Sequence, residues 1–129
     1  MPNLIGIGAA SANTRSTVQI RQISKSNHIA VLGLTGRLDA TTANQLQASI
    51  EKTRESGSTH VLLNFKNLEY ISSAGLGVLL SAAKDLQYHG GDLLLCELRD
   101  NVRKVFEVSG FTRIFYLYPT EKQARDDLA

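Results

Sequence analysis

The sequence of 129 residues holds a single cysteine, Cys96. One thiol excludes an internal disulfide. It lies in the apolar run Leu93-Leu94-Leu95-Cys96, where a free cysteine packs as a small hydrophobe, and a reducing cytoplasm is the expected compartment. No apolar stretch reaches the roughly 18–20 residues a membrane span needs, so no membrane partner is expected. The first ten residues, Met1 to Ala10, have no basic n-region and too short an apolar core for a signal peptide. An excess of charge of one sign is missing too: 14 Lys and Arg stand against 12 Asp and Glu, a net +2. A nucleic-acid binder would show a clustered basic face. The nearest approach to one, Arg99, Arg103 and Lys104, is interrupted by Asp100 and Glu107 and reads as a solvated helix face.

Catalytic signatures are equally scarce. His28, His60 and His89 sit at element ends, and none has metal-ligand spacing to the cysteine or to another histidine. No metal and no cofactor are implied. Asp39, Asp85, Glu97 and Asp100 are scattered, and nothing pairs two of them for acid–base work. Ser73 is flanked by Ser72 and by Ala74-Gly75, so it is not a G-x-S-x-G nucleophile elbow. No Gly-Lys-Ser/Thr phosphate loop occurs. Gly6-Ile7-Gly8 has no strand before it, and Gly75-Leu76-Gly77 lacks the third glycine of a dinucleotide fingerprint.

What remains is an ordinary globular composition, 43% apolar and 20% charged, in a chain long enough for one core. Residues 1–14 are small and aperiodic and predict a flexible tail; residues 15–129 form one domain. Val18, Ile20 and Ile23 alternate with polar residues, predicting an edge strand that forms a hairpin with Ile29–Leu34 across the Ser26-Asn27 turn. Asp39, Thr41 and Thr42 are candidate caps for a helix with Ala43, Leu46 and Ile50 inward, stopped at Gly57. A buried strand follows at about 59–65. A second helix then presents Leu76, Leu79, Leu80, Ala83 and Leu86. Leu93–Cys96 predicts an inner parallel strand. Asp100 or Asn101 opens a third helix with Val102, Val105 and Phe106 inward, and Gly110 closes it. Ile114–Leu117 predicts the last strand, and Thr120 caps a short final helix carrying Ala124 and Leu128. The fold class is α/β: a mixed, mostly parallel sheet of about five strands with about four helices, in the order ββαβαβαβα.

One stretch stands out: Asn67 to Leu80, where the buried strand hands over to the second helix through Ser72-Ser73. A helix start has unpaired N–H groups and the positive end of the helix dipole. A serine there can cap the helix, and it can also accept a phosphate that those N–H groups tolerate. Gly75 and Gly77 each cost roughly 1 kcal/mol of helix propensity, which points to close approach by a neighbouring backbone or by a partner. With no catalytic group beside it, the turn reads as a target of chemistry and the protein as no enzyme.

Five pieces in order carry a family resemblance: Leu34-Thr35-Gly36-Arg37-Leu38-Asp39; Val61-Leu62-Leu63-Asn64-Phe65; Leu68 to Leu80; Gly90 to Cys96; and Val105 to Phe111. Over about residues 17–128 the chain resembles the STAS-domain anti-sigma factor antagonists of bacterial partner-switching systems. The resemblance implies the STAS fold and a binding switch in transcription regulation. Unphosphorylated protein would bind a serine-kinase anti-sigma factor and release its client; phosphorylation would end that binding; a PP2C-type phosphatase would reset it. Alignment on Gly75-Leu76-Gly77 puts the phosphorylated serine at Ser73, with Ser72 second. Ser72 stands where the family often has Asp, and Ala74 where it has a second hydroxyl residue. Asp39 matches an acidic residue near the kinase interface, giving Asp39, Ser72, Ser73, Ala74, Gly75, Leu76 and Gly77 as partner-binding residues. The protein is expected to be a cytoplasmic monomer or weak dimer. The alternative is an unphosphorylated STAS scaffold or transport-accessory module.

Overall fold

A computed structural model of the chain describes residues 16–128. The tail expected over 1–14 lies outside the described residues. The strands are β1 (Val18–Ser26), β2 (Ile29–Leu38), β3 (His60–Ile71), β4 (Asp92–Cys96) and β5 (Tyr116–Tyr118). The helices are α1 (Ala43–Glu55), α2 (Ser73–Tyr88), α3 (Asp100–Ser109) and α4 (Glu121–Leu128), with a 3-10 turn at Phe111–Arg113. The sheet order is β1-β2-β3-β4-β5, with β1 antiparallel to β2 and every other pair parallel. The expected STAS order of elements, the opening hairpin and the edge position of β1 are all present.

The sheet separates two apolar clusters. The larger joins Leu32, Leu34, Val61, Leu63 and Phe65 of the sheet to Leu46 and Ile50 of α1, Leu79 and Leu86 of α2, and Val102 and Phe106 of α3. On the opposite face, Val31, Leu62, Leu94 and Cys96 pack on Ala124 of α4. The sheet is therefore covered by three helices on one side and by one on the other. That explains why β4 has no polar alternation: Leu93 and Leu95 face one cluster, Leu94 and Cys96 the other.

Several expectations need correction. The third strand does not stop near residue 65 but runs to Ile71. Its pairing with β2 shifts between Gly33/Thr35 and between Gly36/Arg37, so β3 carries one extra residue at each place. Phe65, Leu68 and Ile71 thereby all turn to the core at intervals of three, which hides the period-two signature of a strand. The last strand is Tyr116–Tyr118, not Ile114–Leu117. Phe115 instead packs edge-on against Phe106, with centroids 5.9 Å apart, in a cluster with Phe65 and Phe111. On α2 the inward row uses Ala82, while Leu80 stays half-exposed. Val105 is also only half-buried, and Ile23, beside a β1 bulge, is exposed. The third helix does open at Asp100, with Arg99 in the cap position and no side-chain cap bond, and Asn101 donates 2.7 Å to the Glu69 carbonyl, tying the helix start to β3.

Candidate functional site

The parallel strands β2 and β3 end side by side, with Leu38 paired to Ile71. One residue further on lie Asp39 and Ser72. The Ser72 N–H donates to the Leu38 carbonyl at 2.9 Å, extending the ladder past the register. Ser72 then takes the N-cap of α2 in extended conformation, and its hydroxyl accepts the Gly75 N–H at 3.4 Å. Its carbonyl receives the Leu76 N–H at 3.0 Å. Ser72 is thus committed to the helix start. Ser73 is the first helical residue, its side chain is exposed, and among the described residues no side-chain hydrogen bond engages it.

The two glycines differ. A Cβ on Gly75 would lie 3.0 Å from the Leu38 carbonyl oxygen and 2.9 Å from Ile71 Cγ1. Gly75 is what lets α2 sit directly on the end of β2. A Cβ on Gly77 would meet nothing within 4 Å, and that position is exposed. Its missing side chain leaves a low spot on the outer side of the first turn, beside the half-buried Ala74.

Asp39 is held most closely by Ser16 Oγ at 2.7 Å, Thr41 Oγ1 at 2.7 Å and the Thr41 N–H at 2.9 Å. The Ser16 hydroxyl and then the Thr41 hydroxyl lower its pKa from 3.8 to about 2, against a smaller opposing effect of burial. A fixed negative charge therefore stands at the end of β2. Asp39 organises the turn and does not cap α1. Thr42 has the cap position without a side-chain cap bond, its hydroxyl donating instead to the Arg37 carbonyl at 2.8 Å and accepting from the Asp39 N–H at 2.9 Å. On the preceding register pair, the Arg37 guanidinium stacks 4.3 Å over the Tyr70 ring.

Beside Ser73 opens a groove of about 370 Å³ between the start of α2 and the C-terminal half of α3, lined by Ser73, Leu76, Lys104, Val105, Val108 and Ser109. Val108 is 79% exposed, unusual for an aliphatic side chain. The structure brings Ser73 and Leu76 together with these α3 residues, which sequence reasoning missed. Lys104 belongs to the stretch read as a plain solvated face. No period in α3 marks Val108, because the helix's own stripe is met by Val102 and Phe106. Gly75 and most of Leu76 are buried, so of the seven residues singled out these two form the underside of the surface. Among the described residues no group of three or more His, Cys, Asp or Glu side chains is placed to hold a metal ion. No helix among them is long and apolar enough to cross a membrane.

Known proteins share this fold. The family model of the STAS domain matches residues 21–124. BtrV of Bordetella bronchiseptica, whose name marks it as a candidate anti-sigma factor antagonist, is 42% identical over 93 residues, covering 72% of this chain and 80% of BtrV. The solved structure of the anti-sigma factor antagonist SpoIIAA in its unphosphorylated form superposes with a TM-score of 0.71 at 28% identity, covering 86% of this chain and 95% of that one. The phosphorylated form of the same Bacillus cell fate determinant superposes with a TM-score of 0.67 at 26% identity, covering 86% of this chain and 100% of that one. The chain belongs to the STAS-domain family of anti-sigma factor antagonists.

Proposed function

We propose that this protein is the antagonist component of a bacterial partner switch and works in the cytoplasm. Its unphosphorylated form docks on a serine-kinase anti-sigma factor and frees the client that factor holds. The docking surface comprises the outer side of the α2 start (Ser73, Ala74, Gly77), with Asp39 beside it and Ser72, Gly75 and Leu76 supporting it from below. The kinase transfers the γ-phosphoryl group of ATP to Ser73 Oγ, with loss of the hydroxyl proton and release of ADP. A phosphoserine carries close to two negative charges at neutral pH. Placed on this surface, next to the ionised Asp39, it opposes any carboxylate on the partner and ends binding. A PP2C-type phosphatase removes it.

One observation carries the choice of acceptor. Ser72 Oγ accepts the Gly75 N–H, while Ser73 is exposed on the first turn. Ser72, standing where relatives often have Asp, supplies the helix cap, and Ser73 is left to the kinase. The test is incubation with the cognate kinase and ATP, followed by peptide mass spectrometry. A single phosphate on Ser73, abolished in Ser73→Ala, is the expected result. Single phosphorylation that persists in Ser73→Ala moves the acceptor to Ser72. Unchanged kinase binding by Ser73→Asp overturns the charge mechanism.

A further inference from the structure

The face of the sheet that carries α4 is covered only in part. Beyond that helix, the wider end of the sheet is open across β1, β2 and β3, and a depression of about 300 Å³ lies there. Two cross-strand rows build it. Arg21, Gly33 and Asn64 are paired across the three strands, and so are Gln19, Thr35 and Asn67. Gly33 at the middle of the first row has no side chain, and Ile23 packs into the space one would take, bounding the depression on that side: a Cβ on Gly33 would stand 2.9 Å from Ile23 Cδ1. Lys66 joins the rim, next to the first β3 bulge.

The chemistry of the lining is one-sided. Arg21 and Lys66 are the charged groups lining it, and neither forms an ion pair among the described residues. The Glu121 carboxylate, which meets the lining residue Asn64, is held by Asn64 Nδ2 at 3.0 Å and by Arg125 at 2.8 Å. Gln19, Thr35 and Asn67 make no side-chain hydrogen bond with a described residue, so amide and hydroxyl groups stand available beside two cations. A guanidinium and an ammonium together suit a doubly charged phosphate. Neutral donors and acceptors in the adjacent row suit hydroxyl groups. The volume is at the lower end of small-molecule sites, about 300 Å³ upward. No aromatic side chain lines the depression, so it offers no stacking surface for a nucleobase.

We propose that this depression is a binding site for a small phosphorylated polyol of sugar-phosphate size, its phosphate between Arg21 and Lys66 and its hydroxyls on the Gln19-Thr35-Asn67 row. The site is separate from the α2 turn and independent of the partner-switch reading. The test is a titration of the whole chain, isotope-labelled for NMR, with ribose 5-phosphate, with inorganic phosphate and with ribose. Ribose 5-phosphate should give saturable shifts centred on the Gly33, Thr35 and Asn64 amides, and bind more tightly than either phosphate or ribose. Arg21→Gln combined with Lys66→Gln should weaken it at least about tenfold, as expected for loss of two charge-assisted contacts, with amides elsewhere unmoved as the control for folding. Thr35→Val should weaken the sugar phosphate and leave phosphate alone unaffected. Absence of saturable shifts, shifts centred on the α2 start, equal binding by the double variant, or phosphate binding as well as the sugar phosphate would each overturn the proposal.

Discussion

The amide of Ser72 reaches the carbonyl of Leu38 at 2.9 Å, and the same carbonyl oxygen lies 3.0 Å from where a Gly75 Cβ would be. One backbone oxygen at the end of β2 therefore both receives the chain leaving β3 and sets the height of the helix that follows.

Gly75→Ala and Gly77→Ala should move stability in opposite directions. At Gly75 the added methyl meets a backbone carbonyl that cannot rotate away, and overpacking of this kind costs about 1–3 kcal/mol. At Gly77 it enters open space, and the gain in helix propensity is about 0.5–1 kcal/mol. Urea denaturation of both variants checks the signs. A stable Gly75→Ala would mean that α2 can lift off β2.

The same assay should show that neither serine is a large determinant of stability. Ser72→Ala removes the cap; because its bond of 3.4 Å is long, the loss belongs at the low end of the range for caps, about 0.5 kcal/mol. Ser73→Ala should leave stability unchanged within about 0.5 kcal/mol, as for exposed substitutions generally. Any effect of Ser73→Ala on kinase binding or phosphorylation is then a surface effect and not a folding one.

Asp39 should be visible in the acid limb of stability. Its folded-state pKa, about 2, lies below its ordinary 3.8. The stabilisation is therefore fully present above the ordinary value and is lost as pH falls through about 2. Carboxyl NMR should place the Asp39 midpoint near 2, and Ser16→Ala, which removes the largest contributor, should raise it. Asp39→Asn should flatten this part of the stability profile.

Cys96 is fully buried, and burial first, then the nearby Glu97 and Glu121 charges, push its thiol up to about 12. It should be inert to a thiol reagent in the native protein and react at once in denaturant. Reaction in native buffer would show that α4 opens readily from the sheet.

Val108→Asp tests the α3 side of the groove. It replaces an exposed apolar side chain, so the thermal midpoint should be nearly unchanged. If the kinase covers the groove next to Ser73, binding should fall at least about tenfold, the scale of a contact worth roughly 1.4 kcal/mol. Unchanged affinity would confine the interface to the α2 turn.

The elements legible in the sequence were those whose side chains meet one environment at a regular period. The Ala43-Leu46-Ile50 stripe of α1 and the unbroken Leu93–Cys96 run are both as their spacing predicts. The end of β3 was hidden because two bulges break its alternation, a property of its pairing with β2 that no local window contains. Phe115 read as strand because aromatic residues favour strands; its partner Phe106 lies on α3, across the intervening 3-10 turn. The serine turn stood out through residue type and its place between a buried strand and a helix. That Ser72 is committed and Ser73 free depends on which side of the N-cap each falls, and the same serines one position over would exchange roles. The groove was not legible, since it exists only where α2 and α3 come side by side.

The tight seat of α2 on β2 also bears on timing. Under the proposed function the helix start has no room to settle further onto the strand end and no slack to lose when a phosphate arrives. The altered surface would exist as soon as the covalent bond does, without a conformational lag. Its contrast with the unmodified form would be almost purely coulombic, a difference that a partner senses only at close range, within a Debye length of about 8 Å at physiological ionic strength.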